Sequence, residues 1–236
     1  MRHLGPATIS IESSTTTAAA PPCCARGAFT YRVWLTLRET AGVGATLSGV
    51  TVTVTETSGA SVTSRISATD AFGTIRVPPE GTLVSNNISS SGPVSTVSEI
   101  TVRVMFTDDN GNAGSVQTST AARLDLVGDW YGALPIKTPT GDWSLGHASL
   151  VQSGDRLTGE LVGRDGARYP LSGSVSGDWA PLLLLGGLPG TSSCASVGLV
   201  LTRFEFASGQ VRLLSGYATG RCFGTVAGEF DLERAS

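Results

Sequence analysis

The residues in this 236-residue chain whose chemistry could define a function are four cysteines, two histidines and a few short clusters of acids. Cys23 and Cys24 are adjacent in a Pro/Ala-rich stretch, and no Cys-x-x-Cys occurs, so a structural zinc site is not expected. His147 is the only histidine within a patterned region. As a catalytic base it would need an activated serine, and no Gly-x-Ser-x-Gly elbow is present. It reads instead as an ordinary strand residue. Glu229, Asp231 and Glu233 recur at every second position, opposite Phe230 and Leu232. Two facing carboxylates would suit glycoside hydrolysis. Three acids on one face of one strand read as a solvated surface. Asp108, Asp109, Asn110 and Asn112 make an oxygen-rich turn able in principle to hold Ca²⁺, but the twelve-residue loop and well-placed Glu of an EF-hand are missing. Asn110-Gly111 is by itself a hairpin signal. No nucleophile–base set, metal set or phosphate-binding loop emerges, so the expectation is a non-enzyme with no catalytic residues, no metal and no cofactor.

Composition narrows the background against which these residues sit. The chain is 40% hydrophobic, enough for real cores, and only 15% charged, against ~25% in an average soluble domain. Ser, Thr and Gly fill the difference, and they suit solvated strand faces and tight turns. Net charge is −3 and neither half is basic, so a nucleic-acid partner is not expected. The longest apolar run, 179–188, is broken by Pro181, Gly186 and Gly187, so no membrane span is expected. Residues 1–10 carry Arg2 and His3 with no apolar stretch behind them and do not read as a signal peptide.

The elements that would position these residues are strands. Residues 1–27 include the low-complexity run Ser13 to Pro22 and read as an extended or disordered tail. From Phe29 the period becomes two: Phe29, Tyr31, Val33, Leu35 and Leu37 alternate with polar neighbours. Val50, Val52 and Val54 repeat the pattern, as do Ile100, Val102, Val104 and Phe106. Shorter runs lie at 62–66, 73–77, 82–88 and 113–120. About seven strands within residues 28–123 predict a β-sandwich. From Leu124 onward short Gly-containing turns separate about eight runs: 124–134, 142–152, 156–163, 167–175, 179–185, 195–206, 211–219 and 222–233. A meander of that kind is best satisfied by closing on itself, which removes both edges. Within its first run Leu124, Leu126, Trp130 and Leu134 share a parity and should point inward, leaving Tyr131 outward.

Two family resemblances follow from these patterns. Residues 28–123 resemble bacterial immunoglobulin-like and fibronectin-type modules of exported proteins. The motif Gly128-Asp129-Trp130, with Leu157-Thr158-Gly159 and the stretch Tyr169 to Gly173, resembles the opening strand and Gly-punctuated strands of lipocalin and avidin-like up-and-down barrels. That resemblance implies that Trp130 plugs one end of an eight-stranded antiparallel meander barrel at 124–236. It also implies kinship with small barrel inhibitors of secreted metalloproteases, in which a free N-terminal segment enters the protease cleft.

Within such a barrel, Trp130, Trp143, Tyr169, Trp179 and Tyr217 are the candidate ligand-binding aromatics. Cys194 would precede the sixth strand and Cys222 open the eighth, at one rim. They would stand about 10 Å apart at ~4.8 Å per strand, a gap that the loop 186–193 has the slack to close, so a Cys194–Cys222 disulfide is expected. Such a bond would imply an oxidising compartment. The expectation is thus an exported, extracellular or cell-surface, non-catalytic binding or structural protein. Its barrel half would meet an unknown small apolar ligand or a protein partner. A secreted protease inhibitor is the alternative.

Overall fold

The computed structural model describes residues 5–20, 28–86, 88–93, 95–138, 141–175, 181–185, 197–207, 210–220 and 229–235. All four cysteines and Trp179 lie outside these residues, and with them the expected Cys194–Cys222 bond. The protein is all-β, with one short helix among the described residues. Its strands form one sheet of 13 and one of five, and every described register is antiparallel. The chain divides into two compact units: Met1–Thr17, Thr30–Gly92 and Thr96–Ala122 in the first, and Ala18–Phe29, Pro93–Ser95 and Arg123–Ser236 in the second.

The first unit contains β1 (Ile9–Ala19, ending in the second unit), β2 (Phe29–Glu39), β3 (Ala45–Glu56), β4 (Ser61–Ile66), α1 (Ala68–Phe72), β5 (Arg76–Val77), β6 (Thr82–Val84), β7 (Ile88–Gly92), β8 (Val97–Asp108) and β9 (Ala113–Ala121). The five-stranded sheet runs β4-β3-β8-β9, with β5 on β3, while β2 pairs with β6 and β7 in the other sheet. Period-two patterning is the cause. Tyr31, Val33, Leu35 and Leu37 of β2 are buried, as are Val50, Val52 and Val54 of β3 and Ile100, Val102 and Val104 of β8. The two layers meet where a Cβ on Gly92 would lie 3.2 Å from Val54 Cγ1 and 3.8 Å from Tyr31 Cε2.

Two features depart from the sequence reading. The segment expected as an extended or disordered tail carries β1, favoured by β-branched Ile9, Ile11 and Thr15 to Thr17. It is tied to β2 by Glu12, whose carboxylate meets Arg38 Nη1 at 3.0 Å. Residues 68–72, between two of the expected runs, form α1. Ser67 caps it by accepting from Asp70 N–H at 3.0 Å, and Gly73 ends it at φ 75°, with its N–H donating to Thr69 O.

The second unit contains β10 (Gly128–Ala133), β11 (Pro135–Thr138), β12 (Gly141–Ser153), β13 (Arg156–Gly163), β14 (Arg168–Ser174), β15 (Leu182–Leu185), β16 (Val197–Ala207), β17 (Gln210–Gly220) and β18 (Glu229–Arg234). Successive neighbours from β12 to β18 pair in turn. β10 pairs with both β12 and β18. The end of β1 and start of β2 complete this unit: Ala20 N–H donates to Thr202 O at 2.7 Å, and the Phe29 and Phe204 rings lie 5.9 Å apart. Among its described residues the core includes Trp130, Leu134, Leu157, Leu161, Phe204, Phe206, Leu214 and Phe230, all 3% exposed or less.

Candidate functional site

One end of the second unit is built around Trp130. The chain turns into β10 at Gly128, whose φ of 130° disfavours any residue with a Cβ. A Cβ on Gly132 would collide with Asp231 O at 2.1 Å, so glycine lets β10 approach β18. Between these glycines Trp130 is fully buried, and its indole N–H donates to Leu126 O at 3.0 Å. Arg234, on the neighbouring strand, sets its guanidinium carbon 5.0 Å from the Trp130 ring centroid. Its Nη2 donates to Asp125 O at 2.7 Å and Val127 O at 2.8 Å. Gln152 holds the same segment, accepting from Leu126 N–H at 3.1 Å. Residues 124–127, expected as the start of a strand, instead cross this end and are fastened there by side chains.

Two of the other expected ligand residues separate. Tyr169 is buried at 6% exposure, on the same inward side of its strand as Leu171. Tyr217 is 37% exposed, between buried Gly216 and Ala218, and therefore faces outward. It does not share an interior with Trp130 and Tyr169. Trp143 lies on β12 in register with Ile136. Hollows of ≈ 260 Å³ and ≈ 420 Å³ in this unit are lined respectively by residues such as Asp125 and Gln152, and Arg212 and Glu233, not by Trp130 or Tyr169.

The outward face across β12, β10, β18 and β17 brings other residues together. Tyr131 is 50% exposed, as the parity of its strand predicts, and stacks on His147 with centroids 5.6 Å apart and planes at 25°. Glu233 stands opposite Tyr131, Asp231 opposite Ser215, and Glu229 opposite Tyr217. All three acids are exposed, and none forms an ion pair with another described residue. This strip sets exposed carboxylates between two exposed tyrosines. Arg203 lies beside it on β16, in register with Ser215. Sequence patterning assigns the acids to a solvated face, but the pairing that puts the tyrosines at their flanks is visible only in the fold.

In the first unit the oxygen-rich turn serves the backbone. Asp108 Oδ1 accepts from the N–H groups of Asn110 and Asn112 at 2.9 and 2.7 Å. Its Oδ2 accepts from Ala7 N–H and Asn112 Nδ2, both at 3.0 Å. Asp109 is taken by both terminal nitrogens of Arg76, at 2.5 and 2.6 Å. These carboxylates face N–H donors, which is the opposite of a cation cage. Glu39, buried at the end of β2, accepts from the N–H groups of Thr8, Ala41, Gly42 and Glu80. Ala7 and Thr8 are thus anchored, and a tail inserted into a protease cleft would have to come from residues before them. No cluster of three His, Cys, Asp or Glu at metal-holding distance occurs among the described residues, and none of their helices is long and apolar enough to cross a membrane. No protein-family model and no curated protein sequence matches the chain.

Proposed function

We propose that this chain is an exported, non-catalytic binding protein whose second unit engages a protein partner through the Tyr131–Glu233–Asp231–Glu229–Tyr217 strip. The observation that carries the reading is the stacked Tyr131–His147 pair beside three exposed carboxylates. Exposed tyrosine next to acid suits a basic, extended segment, because the ring receives cationic and aliphatic groups while carboxylates take the hydrogen bonds. The exposure of Tyr131 and Tyr217 favours this outer face as the contact surface.

The finer fold belongs to the same proposal. We read the second unit as a closed eight-stranded barrel of lipocalin or avidin type and the first as an immunoglobulin-like module. Support for closure is that β15 pairs with β16 as well as β14, while β10 pairs with both β12 and β18.

A short Arg/Ser-repeat peptide titrated into ¹⁵N-labelled protein is expected to move the amides of residues 129–133, 147–149 and 229–234. The shifts should fade in 0.5 M salt and in a Tyr131→Ala/Glu233→Gln variant. Saturable uptake of an apolar fluorophore that quenches Trp130, with no peptide shifts, would reverse the assignment in favour of an interior ligand.

A further inference from the structure

The five-stranded sheet of the first unit ends on β9, and we propose that this edge joins two copies of the chain, antiparallel, about a two-fold axis at Gln117. A strand edge presents unpaired N–H and C=O groups, and proteins ordinarily blunt it with short strands, charges, prolines or bulges. Three other peripheral strands of this unit follow that rule. β5 has two residues, β6 has three and follows Pro78 and Pro79, and β4 carries Arg65. By contrast β9 runs nine residues, AGSVQTSTA, with no charge and no proline. It pairs with β8 without a register shift from Glu99↔Ala121 to Thr107↔Ala113.

The ladder also fixes which backbone groups face away from the sheet. Ala122 N–H donates to Ser98 O at 2.9 Å at one end, and Asp108 N–H donates to Asn112 O at 2.9 Å at the other. Both bonds join residues that stand opposite each other in the β8–β9 register. In an antiparallel ladder, pairs that exchange hydrogen bonds alternate with pairs that do not. Even-numbered residues of β9 therefore turn their N–H and C=O groups toward β8. Ala113, Ser115, Gln117, Ser119 and Ala121 turn theirs outward. Among the described residues no hydrogen bond reaches those outward groups, and the same five residues are all exposed.

A second copy is the occupant that the strand's own sequence fits. About Gln117 the strand is nearly palindromic. A two-fold sets Gln117 against Gln117, Val116 against Thr118, Ser115 against Ser119 and Ala113 against Ala121. No charge meets a charge and no bulky side chain meets another. A two-fold interface needs this kind of self-complementarity. The parity agrees as well, since Gln117–Gln117 and Ser115–Ser119 become the pairs that exchange both main-chain bonds.

Sedimentation velocity of the full chain over a concentration series is expected to show a monomer–dimer equilibrium. The Gln117 side chain is exposed, so Gln117→Glu and Gln117→Lys should leave the melting temperature nearly unchanged. Each alone sets like charges across the axis and should weaken the dimer about fivefold. Mixing the two variants should restore association. Gln117→Pro removes an outward N–H while sparing the β8 ladder and should abolish dimerisation. A chain that stays monomeric at millimolar concentration overturns the proposal. So does a dimer indifferent to Gln117→Lys and Gln117→Pro, or a mixture that fails to associate.

Discussion

Glu39 continues the odd-numbered series Phe29, Tyr31, Val33, Leu35 and Leu37, every member of which is buried. An acid on the inward parity of a strand is a signal present in the sequence, though its partners are not, because Thr8 and Glu80 reach it only through the fold. Burial alone would raise its pKa. The four backbone N–H groups aimed at it outweigh burial and hold its carboxyl below the ordinary value. Asp108 is also held low, chiefly by Asn112 and then by the backbone N–H groups of Asn112, Ala7 and Asn110, against the opposing effect of burial. A folded-state pKa below the unfolded one contributes stability that is fully present above the unfolded value of about 4. That contribution is lost as pH falls through the lower folded value. Glu39→Gln is therefore expected to lower the melting temperature clearly at pH 7 and progressively less as pH falls below the ordinary carboxylate range. Thermal unfolding of both proteins across that range tests this, and a gap independent of pH would show that the charge on Glu39 is not what matters.

At the scale of elements, the strands were legible because their side chains alternate and glycine turns separate them. The departures share one physical cause. β1 is built of Ile, Ser, Thr and Ala without a clean period, and it becomes a strand by pairing with distant chain. Segment 124–127 keeps the inward parity of Leu124 and Leu126, yet it leaves the sheet because Gln152 and Arg234 take its backbone groups. The Gly-x-Trp motif drew attention to Trp130, which is fully buried. Arg234 carries no comparable sequence mark, since its role depends on β18 lying beside β10. Its guanidinium is the fastener between the indole and the crossing segment. Arg234→Ala is expected to destabilise the protein by about 1–3 kcal/mol through lost hydrogen bonds and the lost cation–π contact. Trp130 emission should move to the red as water reaches the ring. Arg234→Lys keeps the charge but not the flat group over the indole, so it should recover only part of the loss. Urea unfolding followed by tryptophan fluorescence measures both variants, and full recovery by lysine would show that charge alone suffices.

For the whole molecule, chain order and compact units do not coincide. Patterning divides the chain near residue 123, where strand spacing changes, whereas the compact units interleave along the chain. Periodicity has no means of showing that Ala18–Phe29 belongs to the second unit. Phe29 opens the alternation of β2 and so reads as part of the first domain, yet it is fully buried against Phe204. Ala18 is likewise fully buried, and Ala20 donates its N–H to Thr202 O. Expressing residues 124–236 alone would strip these groups from β16 and expose the Phe204 ring they cover. Burial of one phenylalanine side chain contributes about 1.5–3 kcal/mol, a large part of the stability of a domain this size. The isolated fragment is therefore expected to unfold at distinctly lower urea concentration than the same strands do in the full chain. Joining residues 18–29 to its N-terminus through a Gly/Ser linker should restore much of the difference, and replacing Phe29 by alanine in that fusion should remove the gain. A bare 124–236 fragment as stable as the full chain would mean that the 18–29 segment rests on a unit already complete without it.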